Sequence, residues 1–259
     1  NFTSLGAADL NGTFTTSGSQ NYAGDVSLSG DTELVATTVE FSDGLTGNSH
    51  DLTLSPSNSY IKLDGILLSG VNELTIGGDL ELAGNLTAQN IDIHGDTTLL
   101  GDADLTATQG IMFGGTVDGG HALSTNGTTS FAGVVGGTDS LASLTTVSGP
   151  VSVGGNVTTT GNQSFGGEAT IAGDTTFTGN DVSVSGLEGG GFNVEFSATT
   201  TTIDANAYSV ANVADLNVSG DVGLNGTIAT TGNQSYGGDV GVLGNTALTA
   251  GSGAISLGL

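Results

Sequence analysis

Thr158 to Phe165 reads TTTGNQSF, Ala229 to Tyr236 reads ATTGNQSY, and Thr15 to Tyr22 reads TTSGSQNY. Extending these matches outward aligns VSGDVGLNGTIATTGNQSYGGDV, from Val218, with VSGPVSVGGNVTTTGNQSFGGEA, from Val147, and more loosely with IGGDLELAGNLTAQNIDIHGDT, from Ile76. The three starts are evenly spaced, about 71 residues apart, and such a period is the signature of a stacked repeat architecture. The units run over about 5–75, 76–146, 147–217 and an incomplete 218–259, forming one continuous repeat domain over 1–259.

Within a unit, apolar residues alternate with small polar ones: Val26, Leu28, Thr32, Leu34, Val39 and Phe41 in the first copy, and Ala169, Ile171, Thr175, Phe177, Val182 and Val184 in the third. Period two is the pattern of a half-buried strand. Glycine and β-branched residues interrupt every candidate helix, so almost no helix is expected. A sandwich or barrel needs no long sequence period. A parallel β-solenoid stacks equivalent strands and writes its coil into the sequence. A coil of three short strands takes about 20–25 residues, so the expectation is three coils per unit and about eleven coils in an all-β parallel β-helix.

Tyr22, Ile93, Phe165 and Tyr236 occupy equivalent places in the four copies and are expected to stack in the core. Stacked like charges repel by about 0.9 kcal/mol each at 4.8 Å in water. A three-coil unit would therefore keep equivalents such as Asp79 and Asp221 well apart.

Composition removes several functions. The formal net charge is −25, with Lys62 the single basic residue, so nothing is present to grip phosphate, and neither nucleic-acid binding nor attraction to anionic membranes is expected. No run reaches the roughly 20 apolar residues of a spanning helix. Absence of cysteine removes disulfides, thiolate catalysis and cysteine zinc sites.

No catalytic constellation is legible, and the chain is expected not to be an enzyme. The acidic residues cluster in Gly-Asp turns (Gly24-Asp25, Gly30-Asp31, Gly95-Asp96, Gly173-Asp174), where Asp fixes the turn and stays solvated. Polysaccharide hydrolysis would need two carboxylates at a fixed separation; this remains the minor alternative. His50, His94 and His121 stand at no ligand or triad spacing, and His94 takes the place of Gly166 and Gly237, a turn position. Gly189 to Gly191 lacks the lysine and helix of a phosphate cradle. No cofactor is expected and no metal ligand is assigned; dense carboxylates invite diffuse calcium binding, though Gly114 to Ala122, GGTVDGGHA, only approaches the calcium-roll motif. Asn11, Asn85, Asn126 and Asn162 open glycosylation sequons of the kind that this composition produces by chance.

The blocks TTTGNQSFGGEATIAGDTTFTG and ATTGNQSYGGDVGVLGNTALTA resemble the repeat regions of large bacterial exoproteins of the filamentous haemagglutinin type. The resemblance implies a right-handed β-helix, export across the outer membrane, and work as an adhesin stalk or matrix fibre at the cell surface. The expected function is thus an extracellular shaft or filament without catalysis. Its expected partners are further repeats of the same polypeptide or further copies of the chain, end to end. The alternative is an adhesin module binding a receptor or glycan through loops at Gly44 to Gly70 and Gly186 to Asn206.

Overall fold

A computed structural model describes residues 1–56 and 60–258; positions 57–59, inside the Gly44 to Gly70 segment, and position 259 lie outside the described residues. Every described element is a strand, from Phe2–Ser4 to Ile255–Leu257, and every described strand pairing is parallel. The chain winds as a β-solenoid of about 13 turns of about 19 residues. At about 4.8 Å per turn the rod is roughly 60 Å long.

Each turn contributes one strand segment to each of three ladders. The first ladder rises from Phe2 through Gln20, Val39, Ile61, Leu80, Thr97 and Val117, and then through Val135, Val157, Phe177, Phe196, Val218 and Tyr236 to Leu257. The second contains Val26, Leu45, Leu68, Leu86, Leu105, Thr125, Thr146, Phe165 and Val184. The third contains Leu34, Leu54, Ile76, Ile93, Phe113, Phe131, Val153 and Ile171. Between the terminal coils the inward positions of all three are almost fully buried and mostly apolar, with Gln20, Thr97, Thr125 and Thr146 as polar exceptions, and they form one core along the axis. Parallel stacking puts like over like, and aromatic rings exploit it: Tyr22 on Phe41, Phe113 on Phe131 and Phe177 on Phe196 lie stacked with centroids 5.1–5.2 Å apart.

The structure corrects the expected relation between unit and coil. The coils are shorter than expected, so there are about 13 of them and not eleven, and one repeat step is not three coils. Tyr22 lies on the first ladder, Ile93 on the third, Phe165 on the second and Tyr236 on the first again. Each step is three full turns plus two of the three faces. Three steps make eleven turns and return to the first ladder, two residues out of register, since pairing traced back from Tyr236 reaches Gln20. The four residues are buried, as expected, but they do not form one column.

Corners are tight because glycine lets successive coils approach. At the corner between the third and first ladders Gly95, Gly115 and Gly133 lie one above the next; a Cβ on Gly115 would stand 2.6 Å from the Gly95 carbonyl oxygen, and one on Gly133 would collide with the Gly115 carbonyl.

Candidate functional site

The quoted sequence block builds a corner. Gln20, Gln163 and Gln234 are buried, and each Nε2 donates to two backbone carbonyls at the turn, one on its own coil and one on the next. Gln20 reaches Phe14 (2.9 Å) and Val35 (3.1 Å), Gln163 reaches Val157 (3.2 Å) and Thr178 (2.8 Å), and Gln234 reaches Ile228 (3.1 Å) and Thr249 (2.9 Å). In every case one acceptor lies six residues before the glutamine and the other, on the next coil, fifteen after it. Just before the glutamine, Thr16, Thr159 and Thr230 each close the turn by donating from Oγ1 to the carbonyl two residues on, at 2.8–2.9 Å. The block makes the corner between third and first ladders in the first and fourth copies, and that between first and second in the third. One sequence thus serves different corners.

The copies diverge at the aromatic residue that ends the block. Tyr22 and Tyr236 donate their hydroxyls to Oε1 of Gln20 and Gln234 at 2.9 and 3.0 Å. Burial pushes both phenols up to about 12. Phe165 has no hydroxyl to give, and Oε1 of Gln163 is buried without a partner.

A second polar device runs along the outer corners. The Oδ1 of a corner Asp or Asn accepts a backbone N–H from the next coil: Asp79 from Asp96, Asp96 from Thr116, Asp174 from Asn193, Asn193 from Asp215, Asp215 from Asn233 and Asn233 from Ala254, at 2.5–3.2 Å. Asp31 and Asp51 do the same for Asp51 and Glu73. These carboxylates fix turns, as expected of Gly-Asp pairs, but the unit length does not keep acidic residues apart, because Asp79 and Asp96 are stacked neighbours, as are Asp31 and Asp51. Alternation with asparagine does the spacing over Asp174, Asn193, Asp215 and Asn233. Lys62 stands in register between Glu40 and Glu81.

The histidines each face a carboxylate. His50 Nδ1 is 3.6 Å from Asp31 Oδ1, His94 Nε2 is 3.0 Å from Asp92 Oδ2, and His121 Nδ1 is 3.9 Å from Asp102 Oδ1. Spacing rules taken from triads and zinc sites miss the pairs of His50 and His121 because each partner sits a full coil earlier in the chain. Among the described residues no three of His, Cys, Asp and Glu converge on one point.

The surface is shallow. A groove of about 460 Å³ crosses the first coils between Asp9, Asp25, Ser27, Thr46, Leu67 and Ser69, and another of about 380 Å³ lies beside Asp174, Asn193 and Asp215. The Gly186 to Asn206 segment holds a turn over 189–193 between two strands, and just past its end the ladder register shifts between Ala205 and Val210, where Tyr208 is exposed. No described helix is long and apolar enough to cross a membrane. At the last coil Val242 and Leu243 are about two-thirds exposed, and Phe2 and Leu5 are exposed at the first.

Comparisons with protein-family models, curated proteins and solved structures find no match to the chain. What the structure shows is the architecture alone, a β-solenoid of parallel strands.

Proposed function

We propose that the chain is a structural segment of an extracellular bacterial fibre or surface shaft, whose work is length, stiffness and a hydrated acidic surface, without catalysis. The observation that carries this reading is the continuity of the three ladders over about 13 turns around a single apolar core. Hydrogen bonds between parallel strands run along the rod, so bending it means opening a ladder on one side. The sequence adds a net charge of −25 for solubility and no cysteine that oxidation outside the cell would cross-link. The partners in this proposal are further coils, from the same polypeptide or a second copy, that continue the rod.

The test is antibody labelling of the chain on intact against lysed native cells, with electron microscopy of the purified protein. Labelling of intact cells and straight rods are expected; label only after lysis overturns the proposal. The mass of the denatured native polypeptide separates the two ways of continuing the rod. A value far above 25.2 kDa means more coils in one chain, and a value near it means stacked copies.

A second reading, a glycan-binding module, is favoured by exposed Tyr208 on its bulge, since an aromatic face is a common sugar platform. A selective glycan-array signal lost in Tyr208→Ala would support it.

A further inference from the structure

We propose that the groove on the first coils is a docking site for a basic segment of another protein, which lays a lysine or arginine side chain along it. The register builds this groove from two columns on the outer wall of the second ladder. Ala7, Asp25, Gly44 and Leu67 each stand one residue before the inward positions Ala8, Val26, Leu45 and Leu68, and Asp9, Ser27, Thr46 and Ser69 each stand one residue after them. The two walls enclose about 460 Å³.

The first wall is notched. Gly44 puts no side chain between Asp25 and Leu67, and a Cβ there would lie 3.6 Å from Asp25 Oδ1 and 3.7 Å from the Leu67 carbonyl oxygen. Asp25 and Leu67 are two coils apart, about 10 Å. A carboxylate therefore stands at one end of the notch and the Leu67 side chain, 58% exposed, at the other. The side chain that matches both ends has an aliphatic stem and a cationic head, as lysine and arginine have. The carboxylate is free for it: among the described residues neither Asp25 nor Asp9, on the second wall, accepts a hydrogen bond, whereas Asp31, Asp79 and Asp96 hold backbone N–H groups of the next coil.

The second wall points to a peptide and not to a free amine. Ser27, Thr46 and Ser69 stand on three successive coils, their hydroxyls unbonded among the described residues, and a hydroxyl both donates to and accepts from peptide groups. Charge selects the partner. A net charge of −25 draws a basic segment in and opposes a second copy, whose one basic residue, Lys62, stands in register between its own Glu40 and Glu81.

The experiment is an amide-shift titration of the full chain by NMR with the peptide acetyl-Gly-Gly-Lys-Gly-Gly-amide, beside the same peptide with norleucine in place of lysine and beside butylammonium. The lysine peptide should shift amides around Ser27, Gly44, Thr46 and Ser69, and the norleucine peptide should not. Asp25→Asn, and Gly44→Val, which fills the notch with the charge unchanged, should each weaken binding about fivefold or more. Asp239→Asn removes the carboxylate at the matching place in the fourth copy and should change binding by less than about twofold. Thermal melts check that each variant is folded; should Gly44→Val fail to fold, Asp25→Asn and the norleucine peptide decide. Shifts spread over all the acidic corners overturn the proposal, because diffuse attraction to the rod produces them. So do equal losses in Asp25→Asn and Asp239→Asn, butylammonium binding as tightly as the peptide, or no binding at millimolar peptide. None of these results bears on whether the chain is a surface fibre.

Discussion

Phe165→Tyr should stabilise the protein, although it adds a polar atom to a core position. In the first and fourth copies a tyrosine hydroxyl at the equivalent place donates to the corner glutamine at 2.9–3.0 Å; in the third, Gln163 Oε1 is buried with no donor. The cost of that orphan is the desolvation of a carbonyl-type oxygen, about 1–3 kcal/mol, and a satisfied hydrogen bond contributes about 0.5–1.5 kcal/mol net. Part of the gain offsets desolvation of the new hydroxyl, which leaves about 1–2 kcal/mol. At this chain length that is a rise in melting temperature of roughly 2–8 °C. The mirror variants Tyr22→Phe and Tyr236→Phe each create the orphan and should lose about 1–3 kcal/mol. Thermal melts of the three single variants with the parent make the assay, with amide exchange to localise the change, since stacked coils can open locally. If Phe165→Tyr is neutral or destabilising while the two Tyr→Phe variants cost what is expected, the pocket at Phe165 does not reproduce the corner of the other copies and the reasoning fails.

The phenols of Tyr22 and Tyr236 are raised to about 12 in the fold against 10.0 in the open chain, so the stability they contribute is whole below pH 10 and is lost as pH rises through about 12; absorbance at about 295 nm, where phenolate absorbs, should show them ionising only with unfolding. Gly133→Ala drives a methyl against the Gly115 carbonyl and should cost about 1–3 kcal/mol by denaturant melt, with unchanged stability ruling out the close approach. Asn193→Asp sets three carboxylates in succession at Asp174, 193 and Asp215. Two new contacts at about 0.9 kcal/mol each in water should lower stability by about 1–2 kcal/mol at low salt, an effect that fades in high salt; an equal loss at both salt concentrations would point to another cause.

Alternation of Val26, Leu28, Thr32 and Leu34 with polar residues was enough to read parallel strands and a stacked coil, because inward positions in a solenoid leave little choice but apolar or small side chains. The coil count was not legible. Sequence repetition reports how the unit was copied, whereas turn length is set by how few residues a corner needs, and glycine corners such as Gly115 over Gly95 need very few. The aromatic positions were correctly read as buried but wrongly read as one column, since nothing in TTTGNQSF says which of three corners it will build. The partners of His50 and His121 were hidden for the same reason: Asp31 and Asp102 become neighbours only once the coil length is known. The orphaned oxygen of Gln163 was in plain view as a Phe where the other copies have Tyr, but its weight depends on burial, which only the fold supplies.

A unit that closes on two faces more than three turns ties length to direction. Deleting residues 147–217 joins chemically matching stretches, so the core should re-form, yet every coil beyond the junction would be turned by a third of a revolution. Adding units in tandem would carry whatever lies downstream around the axis like the hand of a three-hour clock. In such a rod the number of copies sets not only how far a distal feature is held from the base but which way it looks.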